Sequence, residues 1–327
     1  MAKIDLLNIQ PTTVSRDLKS KYLLIYGKEK IGKTTFACGV DGALLLATEK
    51  GYNALSGVYA QDIQSWADFK IVLRQLKKPE IQAKFKTIVI DTFTILYDLC
   101  EKFICANNGV STISEIAWGG GYAQLGNELS SAMREITMDG YGLVLIAHAK
   151  KREEKIDEDK TAVYYEPDIP KRGMTIANQL VDIIGFATEK WNNDGTSERV
   201  LVTRGTPYIT AGSRFPKLPA EIPFTYHAVV NALADAIEQQ GDTDTIVDEA
   251  PVIEKDDALD YDKIRNEAGL VWKGLIEKQK TNAEKEAIAE KVLTYVEKTL
   301  GKKKKLSEIT PREVESFAII LDYMKEL

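Results

Sequence analysis

With 327 residues, 44% of them hydrophobic, the chain has material for one α/β domain and an appendage, and no apolar run approaches the length of a membrane span. A net charge of −6 argues against a protein coated in basic surface, and the opening Met1-Ala2-Lys3-Ile4-Asp5 lacks a signal peptide's apolar core, so action in the cytoplasm is expected. Cys38, Cys100 and Cys105, with only two histidines beside them, form no zinc spacing and read as reduced structural thiols.

After an N-terminal extension (1–20), the first predicted strand is Tyr22-Leu23-Leu24-Ile25-Tyr26, a short apolar, β-prone run. It leads into Gly27-Lys28-Glu29-Lys30-Ile31-Gly32-Lys33-Thr34, which matches the phosphate-cradling G-x-x-x-x-G-K-[ST] loop. Thr35-Phe36-Ala37-Cys38 can open the helix that this motif needs. The glycines let successive N–H groups point at phosphate oxygens, Lys33 reaches the β- and γ-phosphates, and the Thr34 hydroxyl takes a Mg²⁺ position. ATP and Mg²⁺ are therefore the expected cofactors, with Gly27, Lys30, Gly32, Lys33, Thr34 and Thr35 as the binding set.

A strand over 43–48 ends in Glu49, and Lys86-Thr87-Ile88-Val89-Ile90-Asp91 is an apolar run ending in a carboxylate that suits the Walker B role, with Asp91 as the second Mg²⁺ residue. Asp91 is followed by Thr92 and Phe93, so the carboxylate that orients water must come from elsewhere. Next come a helical stretch (95–106), a polar loop (107–117), and Trp118-Gly119-Gly120-Gly121 opening a helix through Leu125, Leu129, Met133 and Ile136. The strand over 141–147 ends in His148. From 150 to 172 no amphipathic period is visible, which predicts a long loop; it carries Lys150, Lys151, Arg152, Lys171 and Arg172 with Tyr164 and Tyr165 among them, diluted by seven acidic residues. A buried strand over 181–187 precedes a predicted hairpin, 198–204 with 208–211, turning at Gly205-Thr206-Pro207; Arg204 and Arg214 fall in and just past it.

Residues 242–262 hold nine acidic residues against Lys255 alone and read as a linker. Beyond it, Ile264, Ala268, Val271 and Leu275, then Ala287, Val292 and Val296, have helical spacing, with Trp272 and Tyr295 read as core. The run Lys302-Lys303-Lys304-Lys305 follows, either a solvated turn or a contact for a phosphate backbone or acidic partner. Thr310, Pro311 and Glu313 form a capping-box start for a last helix through Ile319, Ile320 and Tyr323.

The order of these landmarks resembles the RecA family, and among its members the small RecA-like ATPases of bacteriophages, several of them associated with single-strand annealing and recombination. The resemblance covers about 21–240 and implies an α/β RecA-like P-loop NTPase core with a central, mostly parallel twisted sheet and a C-terminal hairpin. A linker (241–262) and a small all-α domain (263–327) would follow. It implies that Glu49 is the catalytic glutamate and that His148, where RecA has an amide, senses the γ-phosphate. It implies single-stranded DNA as partner, bound by the 107–117 loop and by Lys150, Lys151, Arg152, Tyr164, Tyr165, Lys171 and Arg172. It also implies a ring or filament of identical subunits with ATP at the interfaces, completed by Arg204 or Arg214 from a neighbour. The departures, a histidine at 148 and an acidic second loop, weigh against RecA-type strand exchange. The alternatives are a nucleotide-switched adaptor or loader that docks a helicase or single-strand-binding protein through its C-terminal helices, and a translocation motor, for which no helicase accessory motifs are present.

Overall fold

Short apolar strands with side chains pointing to both sides need cover on both sides, and the chain supplies it with helices placed between successive strands. The computed structural model describes residues 14–157, 160–239, 246–247 and 259–327. Residues 1–13 of the expected extension lie outside them, as does the expected linker apart from 246–247 and 259–262. The chain divides into two compact units, the first carrying the described residues up to 247 and the second those from 259.

In the first unit the elements are β1 (Val14–Ser15), β2 (Tyr22–Gly27), α1 (Lys33–Cys38), β3 (Ala43–Ala47), β4 (Ala60–Asp62), α2 (Trp66–Leu76), α3 (Pro79–Lys84), β5 (Thr87–Asp91), α4 (Phe93–Asn108) and α5 (Gly120–Met138). There follow β6 (Gly142–Asp157), β7 (Lys160–Pro167), α6 (Lys171–Leu180), β8 (Ile183–Trp191), β9 (Ser197–Val202), β10 (Gly212–Ser213), β11 (Glu221–Pro223), α7 (Tyr226–Glu238) and β12 (Ile246–Val247). The main sheet runs β11-β9-β8-β2-β6-β5-β3-β4, with β7 paired to β6 and β10 to β8, while β1 and β12 form a separate parallel pair. From β8 to β4 neighbouring strands are parallel; β9 and β11 add an antiparallel edge.

Alternation within the strands splits the core in two. Leu24, Tyr26, Leu46, Ile88, Ile90, Leu143 and Leu145 face α2, α4, α5 and α6. Leu23, Ile25, Leu45, Val89, Val144 and Ile146 face α1 and α7. This is the mostly parallel, doubly covered α/β sheet that the sequence predicts.

Two expectations need correction. The segment after His148 is no long loop: β6 continues through it to Asp157 and returns as β7, a two-stranded ribbon with Arg152 opposite Tyr164 and Lys151 opposite Tyr165. Charged residues stand on both faces of this ribbon, so its period of two carries no hydrophobic alternation. Lys171 and Arg172 open α6 instead of lying in a loop. The predicted hairpin at Gly205 is also displaced. The hairpin is β8–β9, turned at Asn192–Thr196, where Gly195 has φ +84 and the Asn192 N–H donates to the Thr196 carbonyl at 2.8 Å. Residues 208–211 contribute only isolated bridges, from Ile209 to Tyr165 and to Thr206.

The second unit is α8 (Tyr261–Glu277), α9 (Asn282–Leu300) and α10 (Val314–Glu326) around Ile264, Ala268, Leu275, Val292, Val296, Phe317, Ile320, Leu321 and Met324. Tyr295 stacks on Tyr323 with ring centroids 3.9 Å apart, and Trp272 packs against the same core. Pro311 opens a 3₁₀ turn into α10, with the Glu313 carboxylate accepting from the Thr310 N–H and hydroxyl at 3.0 Å each. Lys302 and Lys304 both bind Glu313, at 3.2 and 2.8 Å, so half of the lysine run is spent inside its own fold. No helix among the described residues is long and apolar enough to cross a membrane.

Candidate nucleotide site

The loop between β2 and α1 has the backbone that its sequence demands. Gly32 (φ 104) is left-handed, a conformation free of strain only for glycine, and Lys30 (φ 59) takes it up as a non-glycine residue. At Gly27 the constraint is space, since a Cβ there would lie 2.4 Å from the Ala187 carbonyl oxygen on β8. The Lys33 ammonium is buried beneath the loop and donates to the Gly27 and Lys28 carbonyls at 2.9 and 2.8 Å. Thr35 is exposed on the first turn of α1.

Parallel register assembles the rest. Ala47 pairs with Asp91, Asp91 with Ile146, and Gly27 with His148, so β3, β5 and β2 end at the edge of the sheet where β6 runs on past His148. Ligand sites of open α/β sheets form at that carboxyl edge. The Thr34 hydroxyl donates to Asp91 Oδ2 at 2.6 Å, and His148 Nε2 lies 3.7 Å from Glu49 Oε2. Thr48 ties the two strand ends together, its N–H on the Asp91 carbonyl and its hydroxyl accepting from the Thr92 N–H, both at 2.8 Å.

The charges are mutually perturbed. Burial pushes the Asp91 carboxyl up, as does Glu49, while the Thr34 hydrogen bond, Lys33 and His148 pull it down. Burial also lowers the Lys33 ammonium, and Asp91, Glu29 and Glu49 oppose that shift. His148 Nδ1 is buried without a hydrogen-bond partner. The result is a cluster of one lysine, two carboxylates, a hydroxyl and an imidazole around a glycine-rich loop.

The two arginines expected to act across an interface are engaged within their own chain. Arg214 binds Asp182 Oδ1 at 3.1 Å and the Gln179 carbonyl at 3.0 Å; an Nη of Arg204 lies 3.5 Å from the Leu218 carbonyl. A third arginine, which the sequence reading passed over, reaches the loop itself. Arg199 on β9 donates from Nη1 to the Ile31 carbonyl at 3.2 Å. Beside it Glu189 on β8 holds Lys28 at 2.7 Å. Nothing local marks Arg199, because the contact spans 168 residues.

Away from this cluster, Lys150, Lys151 and Arg152 are exposed on the ribbon. Arg152 sits over the Tyr164 ring at 4.9 Å, and that ring neighbours Tyr208 at 5.5 Å. Tyr165 turns inward and stacks on Phe186 at 5.2 Å. Lys151 pairs with Glu153 at 2.5 Å and Arg152 with Glu154 at 4.0 Å, which offsets part of the positive charge. Lys171 is exposed on α6, and Arg172 lies 5.7 Å from the Tyr122 ring. Trp118, expected at the opening of the helix, is fully exposed in a left-handed conformation (φ 57) just before α5.

Comparison with known proteins bears on the family of the chain. A prophage protein of Bacillus subtilis (strain 168), the SPbeta prophage-derived uncharacterized protein YorG, is 28% identical over 338 residues, covering 99% of this chain and 98% of that protein. The AAA domain family matches residues 19–215, more than half of the chain and the whole of the cluster just described. With its phosphate loop at the carboxyl edge of a parallel sheet, the chain belongs to the AAA domain family of P-loop ATPases.

Proposed function

We propose that the protein is a RecA-like ATPase that binds and hydrolyses ATP with Mg²⁺, binds single-stranded DNA and serves phage DNA recombination or single-strand annealing in the cytoplasm of a bacterial host. The observation that carries the reading is the Thr34–Asp91 contact, with Glu49 and His148 at the neighbouring strand ends. The fit to nucleotide and metal rests on chemistry. A hydroxyl and a carboxylate are the hard oxygen donors that Mg²⁺ takes, and the left-handed turn at Gly32 is of the kind that points successive N–H groups at an anion.

Bound Mg²⁺ would neutralise charge on the phosphate oxygens during transfer. In this scheme Thr34 and Asp91 hold the metal, Lys33 moves from the loop carbonyls to the phosphates, and Glu49 orients and deprotonates the attacking water. His148, beside Glu49, reports the γ-phosphate to β6, and β6 continues directly into the charged ribbon. That continuity supports coupling between nucleotide and DNA. Arg152 over Tyr164, with Lys150, Lys151, Lys171 and Arg172, would track a single strand by charge and stacking. For Arg204 or Arg214 to act at an interface between identical subunits, it would have to leave its own-chain partner, the Leu218 carbonyl or Asp182. The prophage origin of YorG supports the phage setting.

The test is the steady-state ATPase rate with and without single-stranded DNA, with Lys33→Ala as the blank. Strong stimulation by DNA is expected. Hydrolysis indifferent to DNA would favour the adaptor or loader reading, which the separate helical unit supports as a docking module for a helicase or single-strand-binding protein.

A further inference from the structure

The β8–β9 hairpin grips the phosphate loop at two points. Glu189 and Arg199 face each other across the hairpin, and each reaches the loop, Glu189 to Lys28 at 2.7 Å and Arg199 to the Ile31 carbonyl at 3.2 Å. The position of the hairpin is set by the sheet, because β8 pairs with β2 up to Gly27 opposite Ala187. Arg199 therefore sits beside the loop through the fold of its own chain.

Its approach is close. A Cβ on Gly32 would lie 3.1 Å from Arg199 Nη1, so the missing side chain admits the guanidinium to the peptide next to Lys33. One guanidinium N–H is used on Ile31, while a guanidinium has five in a planar fork suited to phosphate. Arg199 is an exposed residue held by that one contact, whereas Arg214 has two, to Asp182 and Gln179. Glu189, the nearest carboxylate across the hairpin, is occupied by Lys28.

We propose that Arg199 is a catalytic cation supplied in cis: it turns from Ile31 onto the terminal phosphates of the nucleotide held by its own chain's loop. Charge developing on the transferred phosphoryl group is then met by Lys33 from beneath and Arg199 from the hairpin. This rests on the ATPase reading, and it removes the need for an arginine from a neighbouring subunit at that step.

The experiment uses the full chain as Arg199→Ala, Arg199→Lys and Lys33→Ala, with the two alanine variants also co-expressed under different tags and purified together. Arg199→Ala should lower turnover by roughly 10²–10³-fold, the scale of one preorganised transition-state donor. Arg199→Lys should restore little, because a point charge lacks the fork. Binding of fluorescent ATP and ADP analogues should show ATP affinity falling more than ADP affinity. The mixed Lys33→Ala and Arg199→Ala preparation should stay inactive, since every site then lacks one of the two cations. Recovery in the mixture would mean that Arg199 acts across an interface and would overturn the inference, as would equal losses for ATP and ADP, the mark of a merely structural contact. Wild-type turnover in Arg199→Ala would sink it too while leaving the ATPase reading intact. A wild-type chain that binds no nucleotide would instead defeat that reading and this inference together.

Discussion

The Thr34 hydroxyl and the Asp91 carboxylate meet at 2.6 Å, joining the first turn of α1 to the end of β5 across 57 positions of chain. The two residues come from the separate motifs that the sequence marks for one metal ion, and β3 and β5, in parallel register, bring Glu49 to the same edge.

Separating binding from chemistry tests that arrangement. Lys33→Ala should abolish ATP hydrolysis, while Glu49→Gln should bind ATP within a few-fold of wild type and lose turnover by about 10²–10⁴-fold, the range for a general base. Single-turnover assays beside equilibrium binding read both quantities. A Glu49→Gln protein that still turns over would place the base elsewhere.

Gly27 is required by space. Gly27→Ala drives a Cβ to 2.4 Å from the Ala187 carbonyl and should destabilise the first unit by about 1–3 kcal/mol, the usual cost of overpacking. Urea denaturation of the full chain measures it; an unchanged midpoint would show that β2 and β8 can part cheaply.

In the helical unit, hydrogen bonds from Lys304 and Thr310, with Lys302 beside them, hold the Glu313 carboxyl down at about 2. A depressed acid stabilises the fold above its unfolded pKa, and that contribution disappears as pH falls through the folded value. Stability should therefore drop between about pH 4.3 and about pH 2, and Glu313→Gln should flatten this part of the profile. Thermal melts followed by circular dichroism across that window decide it, and identical slopes for both proteins would show that Glu313 contributes nothing.

The ribbon gives a graded prediction for DNA. Tyr164→Ala should weaken single-strand binding by about 1–3 kcal/mol through lost stacking, and Arg152→Ala should lower the salt dependence by about 0.7 in log–log slope. Fluorescence anisotropy at several salt concentrations separates the two. Tyr165→Phe, on a ring already stacked against Phe186, should leave binding unchanged.

What the sequence determined by itself is local. The phosphate loop is legible because Gly27, Gly32, Lys33 and Thr34 fall within one short stretch of chain at fixed spacing, and the left-handed turn at Gly32 is intrinsic to glycine. The central strands are legible because a sheet covered on both faces demands unbroken apolar runs, and the start of α10 because Thr310, Pro311 and Glu313 satisfy one another within a single turn. Tertiary structure alone decided the rest. The ribbon after His148 is held by cross-strand pairs such as Arg152 with Tyr164, which leave no period along the chain. The lysine run is partly neutralised by Glu313, 9 positions beyond Lys304. Arg199 reaches the loop only because β8 lies between β9 and β2, and a position fixed by sheet order leaves no mark on neighbouring residues.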